Sequence, residues 1–223
     1  MKEITLDRDF ENFNSELICG LLKDKDPDVR LKSVRYLLES DWESKVAPIE
    51  DILECLKDED ERVREEIIYN LSSLEISDTA IQKIVDMLQD KSPHVRDAAL
   101  RALTDLWIKL DPASMQAVIN LVKDSNRSVQ LSALKALPRL ITPDELNQGL
   151  LYEFFRMMDD DELRPAVLEV LDCFGPSLNG EAVHRLANTL NDEDTSRSRN
   201  IAEFLSSMGH DDLVALYLTD NRG

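Results

Sequence analysis

One phrase returns along the chain at an almost constant step. Leu22-Lys23-Asp24 leads to Val29-Arg30 and Leu37, and Leu56-Lys57-Asp58 leads to Val63-Arg64 and Leu71. Leu88-Gln89-Asp90 then leads to Val95-Arg96 and Leu103, and Val122-Lys123-Asp124 to Val129-Gln130 and Leu137. The Arg-type positions 30, 64, 96 and 130 are therefore 34, 32 and 34 residues apart. A period of this length marks stacked units, none of which can bury its apolar face alone. Two further steps of 34 residues reach Arg164 and Ser198, so the register continues after the phrase has degenerated.

Each unit reads as helix, tight turn, helix. Ile81, Ile84, Val85 and Leu88 fall on one helical face, and Val95, Ala98, Ala99, Ala102, Leu103 and Leu106 on another. Between them Gln89-Asp90-Lys91-Ser92-Pro93 is a polar turn, with Ser92 placed to cap and Pro93 at the first helical position. Strand alternation is absent from the sequence. The expected fold is an all-α solenoid, a superhelical stack of about six helix-turn-helix units forming a single repeat domain over 1–223. The units span about 9–40, 46–75, 77–109, 112–141, 143–174 and 179–208, with a C-terminal cap over 209–223. Thr142-Pro143 opens the fifth unit and Gly175-Pro176 closes it, and a short last helix is expected from Asp211 to Thr219. Phe10 and Phe13 are expected to cover the open edge of the first unit.

Charge narrows the classes of partner. Forty-five acidic residues against 26 basic ones give a net charge of −19, which argues against wrapping a phosphate backbone. With aromatic residues at 5%, the core is expected to be aliphatic. Cys19, Cys55 and Cys173 are odd in number and lie in apolar runs, which reads as core thiols in the cytoplasm or another reducing compartment. The first residues lack the apolar stretch of a signal peptide, and no run is long enough to span a membrane.

The pattern Leu-x-Asp-x-x-x-x-Val-Arg-x-x-Ala-x-x-Ala-Leu, clearest over Leu88–Leu103, resembles the HEAT repeat. The short unit is similar to the compact variety named for phycobilisome lyases. The resemblance covers roughly residues 15–208 and implies a structural ladder of Asp24, Asp58, Asp90 and Asp124 with Arg30, Arg64 and Arg96. Each Asp is placed to accept N–H groups at the start of the second helix, and each Arg to reach the Asp of its own or a neighbouring unit. Gln130 and Ser198 interrupt the ladder, and the array is expected to flex there.

Catalytic signatures are missing. His94, His184 and His210 fall in different units, and no His-Glu dipeptide matches the iron-binding hydroxylases of this type. Asp159-Asp160-Asp161-Glu162 lacks the spaced oxygens and glycine of a calcium loop and suits a helix N-terminus instead. No cofactor and no metal are expected.

Binding is expected on the concave face, which in such arrays is lined by the second helix of each unit. Five residues past each Arg-type position stand Arg35, Tyr69, Arg101, Lys135, Glu169 and Glu203. Val34, Ile68, Leu100, Leu134, Leu168 and Ala202, one step earlier, are expected in the core. Arg139 shares a face with Lys135, and Lys32 adds to the first unit. One reading makes Lys32, Arg35, Tyr69, Arg101, Lys135 and Arg139 a strip for an acidic partner, with Tyr69 as anchor. The other pairs these charges with Glu65, Glu66, Asp97 and Asp105. Trp42 lies in a polar loop and Trp107 on an apolar face. The sequence thus points to a non-enzymatic protein-binding scaffold, with no direct nucleic-acid or membrane partner. A bilin lyase or chaperone-like helper, or a module of a larger complex, is the alternative.

Overall fold

The computed structural model describes residues 15–39, 49–71, 77–106, 108–142, 146–175, 180–188, 190 and 195–219. Phe10, Phe13, Trp42 and Trp107 lie outside them. The described secondary structure is helical, without strands, and the fold is an all-α solenoid. Two compact units divide the chain, Met1–Ser132 and Ala133–Gly223.

The first unit contains α1 (Ser15–Leu21), α2 (Pro27–Glu39), α3 (Ile49–Glu54), α4 (Glu61–Leu71), α5 (Asp78–Asp86), α6 (Pro93–Asp105) and α7 (Pro112–Asn120). The division falls within α8 (Arg127–Leu140). Helix α4 packs against α2 on one side and α6 on the other, so the second helices of successive repeats form one layer. Their buried stripe recurs with the repeat. Val34, Ile68, Leu100 and Leu134 are fully buried, as are Leu71, Leu103 and Leu137 one turn on.

The turn within each repeat follows from the phrase itself. Helices α3, α5 and α7 tighten into 3-10 turns over Cys55–Lys57, Met87–Gln89 and Leu121–Lys123. The ladder aspartates close these turns, their N–H groups donating to the carbonyls of Cys55, Met87 and Leu121 at 3.0, 3.1 and 3.0 Å. Tightening drives Leu56, Leu88 and Val122 into the core. Each aspartate then accepts the N–H two residues ahead, as Asp58 does from Asp60 at 2.9 Å and Asp124 from Asn126 at 2.7 Å. The aspartate is thus one step short of capping the helix. Asp26, Asp60 and Asn126 take the next step and accept from Asp28, Arg62 and Ser128. Ser92 departs from the expectation. It precedes Pro93, but its hydroxyl makes no cap bond and is buried without a partner.

The second unit holds α9 (Gln148–Met157), α10 (Arg164–Phe174), α11 (Gly180–Asn188), α12 (Thr195–Ser207) and α13 (Asp211–Thr219). Asn147 caps the start of α9, its side chain accepting the Leu150 N–H at 3.0 Å, and Pro143, expected to open this repeat, lies outside the described residues. Helix α12 ends in a Schellman motif. Gly209 adopts φ +82°, its N–H donates to Ser206 O, and the His210 N–H reaches Leu205 O. This reversal lays α13 against α11 and α12.

The core of the second unit corrects two expectations. It is not purely aliphatic, because Phe154, Phe155, Phe174 and Phe204 are buried there. The rings of Phe155 and Phe204 sit 5.8 Å apart at 57°. Leu168 is also not core. It is 38% exposed, while Ala166, Val167, Val170, Leu171 and Phe174 form the buried stripe of α10. On α12 the stripe is Ile201, Phe204 and Leu205, and Ala202 is only half-buried. In both helices the buried stripe is rolled off the positions expected from the repeat register. The same roll brings Cys173 to the exposed side of α10, and Cys19 and Cys55 are half-buried, so none of the three is a core thiol.

Candidate functional site

Ladder residues connect one repeat to the next within the first unit. The Arg30 guanidinium donates through Nε and Nη2 to both carboxylate oxygens of Asp58, each at 2.7 Å. Arg64 does the same to Asp90 at 2.8 and 2.7 Å, and Arg96 to Asp124 at 2.7 and 2.6 Å. Each Nη1 turns back to the carbonyl of its own repeat's aspartate, Asp24, Asp58 or Asp90, at 2.8, 2.6 and 2.8 Å. One arginine therefore holds its own turn by the backbone and the following turn by the side chain. The planar fork of arginine suits this double duty; lysine has no equivalent geometry.

Register explains where the ladder stops. The partner of position 130 would stand at 158, where the sequence has Met158. Both members of that rung are replaced together, so neither leaves an unpaired ion. Gln130 instead accepts from Arg127 on its own helix at 3.1 Å. In the second unit Arg164 keeps the backward half, donating to Met158 O at 2.6 Å, and pairs locally with Asp161.

Burial alone would raise the Asp58 carboxyl, but the Arg30 guanidinium and the Asp60 N–H outweigh it and hold it below the usual range. A group depressed in the folded state contributes stability above its unfolded pKa, about 4, and that contribution is lost as pH falls through the folded value. Acid unfolding of the first unit, followed by circular dichroism from about pH 6 to 2, is therefore expected to begin at higher pH in Arg30→Gln than in the native chain. Superimposable acid transitions would remove the rung from the pH dependence.

A groove of about 830 Å³ crosses the layer of α2, α4 and α6. Arg35, Tyr69 and Arg101 line it, one from each helix. Glu65, Glu66, Asp97 and Asp105 line it too. Arg35 is bound by both oxygens of Glu66, at 3.2 and 2.6 Å, and Arg101 by Asp97 at 2.8 Å. Tyr69 is 76% exposed. Lys32 is half-buried on α2 and does not line the groove. Lys135 and Arg139 are exposed, one turn apart on α8. Arg62 and Asn70 line the groove and were not singled out by the repeat. Arg62 stands seven residues before Tyr69, two turns away on one helical face, and that spacing is the signal for it.

The half-buried thiols of Cys19 and Cys55 share a smaller hollow of about 240 Å³. Burial, then the charge of Asp58, pushes the Cys55 thiol up to about 11. Among the described residues no cluster of three His, Cys, Asp or Glu side chains is arranged to hold a metal ion, and no helix is long and apolar enough to cross a membrane.

A family model described as HEAT repeats matches residues 14–104, 49–137 and 81–172, together well over half of the chain. No curated protein matches the sequence. Several solved structures share the fold at low identity. An engineered protein is 19% identical with a TM-score of 0.54, covering 87% of this chain and 96% of its own. The Escherichia coli protein YibA is 18% identical, with a TM-score of 0.50 over 93% of this chain and 75% of its own. The complex of CpcE and CpcF, the phycocyanin lyase of Nostoc, matches at 17% identity and a TM-score of 0.53, covering 94% of this chain and 82% of that one.

Proposed function

We propose that this chain, which belongs to the HEAT-repeat family, is a non-enzymatic scaffold that binds a segment of a partner protein in the groove of its first unit. The observation carrying this reading is that groove: the second helices of three successive repeats line it, and a tyrosine stands 76% exposed within it. A large aromatic ring left in water at the wall of a concavity is the kind of residue on which interfaces concentrate their affinity. Arg35, Tyr69 and Arg101 are the proposed contacts there. Lys135 and Arg139 are proposed as a separate pair on α8.

The rival reading, a bilin lyase or chaperone-like helper, draws on the short HEAT-type unit and on the fold shared with CpcE and CpcF. Lyase chemistry at Cys55 would need a thiolate, and a thiol pushed up to about 11 supplies very little at neutral pH. Cys55 itself is therefore a poor nucleophile, and the preference for the scaffold rests on the groove.

Panning a random peptide library on the immobilised protein tests the proposal. The expected result is an enriched family whose affinity falls about threefold on the Tyr69→Ala variant. No enrichment, or equal affinity for the variant, rejects the groove as the binding face.

A further inference from the structure

We propose that the groove of the first unit takes an extended segment carrying lysine or arginine side chains. This rests on the groove being the binding face. Residue types alone point the other way, since the column five residues past the ladder holds Arg35, Tyr69 and Arg101 in this unit. Pairing reverses the polarity. Glu66 neutralises Arg35, and Asp97 neutralises Arg101. Arg62 is held by both Asp60 and Asp28, at 2.7 and 2.8 Å.

Carboxylate is left over. Among the described residues, the side chains of Glu65 and Asp105 line the groove with no hydrogen bond or ion pair. Asp97 adds a buried oxygen, Oδ1, with no hydrogen-bond partner, while its Oδ2 receives Arg101. A buried acceptor without a donor is costly, and an incoming ammonium or guanidinium group relieves that cost. Counting the two aspartates that hold Arg62, three guanidinium groups here face six carboxylates. An acidic segment would meet this excess directly or have to break existing pairs. A basic one gains from Glu65, Asp97 and Asp105, and the exposed face of Tyr69 attracts a cation as well.

A chain with a net charge of −19 attracts any polycation weakly, so the test must separate the groove from the overall field. The probes are two fluorescein-labelled peptides of about twelve residues, one alternating lysine with threonine and one alternating glutamate with threonine. Affinity is measured by fluorescence anisotropy in about 0.15 M salt. Three full-length variants are compared with the native chain: Glu65→Gln with Asp105→Asn, Tyr69→Ala, and a control of equal charge, Glu203→Gln with Asp172→Asn, on exposed positions of the second unit.

The lysine peptide is expected to bind and the glutamate peptide not. The groove double variant is expected to weaken the lysine peptide about tenfold and Tyr69→Ala about threefold, with the control changing it less than about twofold. Equal loss in the groove variant and the control reduces the effect to net charge and overturns the inference, as does failure of the lysine peptide to bind. Groove-dependent binding of the glutamate peptide alone overturns the inference but leaves the scaffold reading standing.

Discussion

Arg64→Ala is expected to destabilise the first unit by about 3–5 kcal/mol, measured by urea unfolding. The side chains of Arg64 and Asp90 are only 3% and 9% exposed, so truncation strands a carboxylate away from water with the Ser92 N–H as its remaining donor. It also removes the donor to Asp58 O and Glu59 O. The residue sits between two repeats, and in a stacked array the junction is where neighbours are coupled. The Arg64→Met, Asp90→Met double variant is expected to recover a good part of the loss, because it removes both charges at once. The chain already carries such a replacement, Gln130 with Met158 in the same register. A cost below about 1 kcal/mol for Arg64→Ala would put the rung with ordinary surface pairs and refute its role.

In the second unit the largest effect is expected from Phe155→Ala. Phe155 is fully buried and packs against Phe204, which also lies against Gly175. Removing the ring costs about 3–5 kcal/mol and lowers the unfolding midpoint of that unit by roughly 15 °C or more. Hydrogen exchange read by unit is the measurement, with the amides of α9 and α12 losing protection first. Leu168→Ala is the paired control. If Leu168→Ala costs as much as Phe155→Ala, the roll assigned to α10 is wrong.

Much of the architecture was legible, and the limits have a physical cause. The recurring Leu, Asp, Val-Arg and Leu positions locate the turns of the first unit, because chain reversal there uses the same aspartate to close the turn. They do not determine how far a helix rolls about its own axis. That depends on the bulk of its neighbours, and buried phenylalanines of the second unit move the stripe off Leu168 and Ala202. The register likewise names the ladder residues but not which aspartate an arginine reaches. The sequence shows Arg35 and Arg101 as a basic column, whereas their pairing with Glu66 and Asp97 depends on how α2, α4 and α6 are set side by side. Charge left over after pairing is a property of packing, and no count of residue types contains it.

The forward reach of each rung also decides how such a chain can lengthen by duplication. Copy the repeat carrying Asp90 and Arg96, and every guanidinium still finds a carboxylate in the next repeat: Arg64 the original Asp90, Arg96 the copied Asp90, the copied Arg96 Asp124. Copy the repeat carrying Asp124 and Gln130, and the second Asp124 faces a glutamine with its charge uncovered. Repeats two and three are interchangeable parts, whereas repeat four ends the run of pairs and its duplication leaves one aspartate without an arginine.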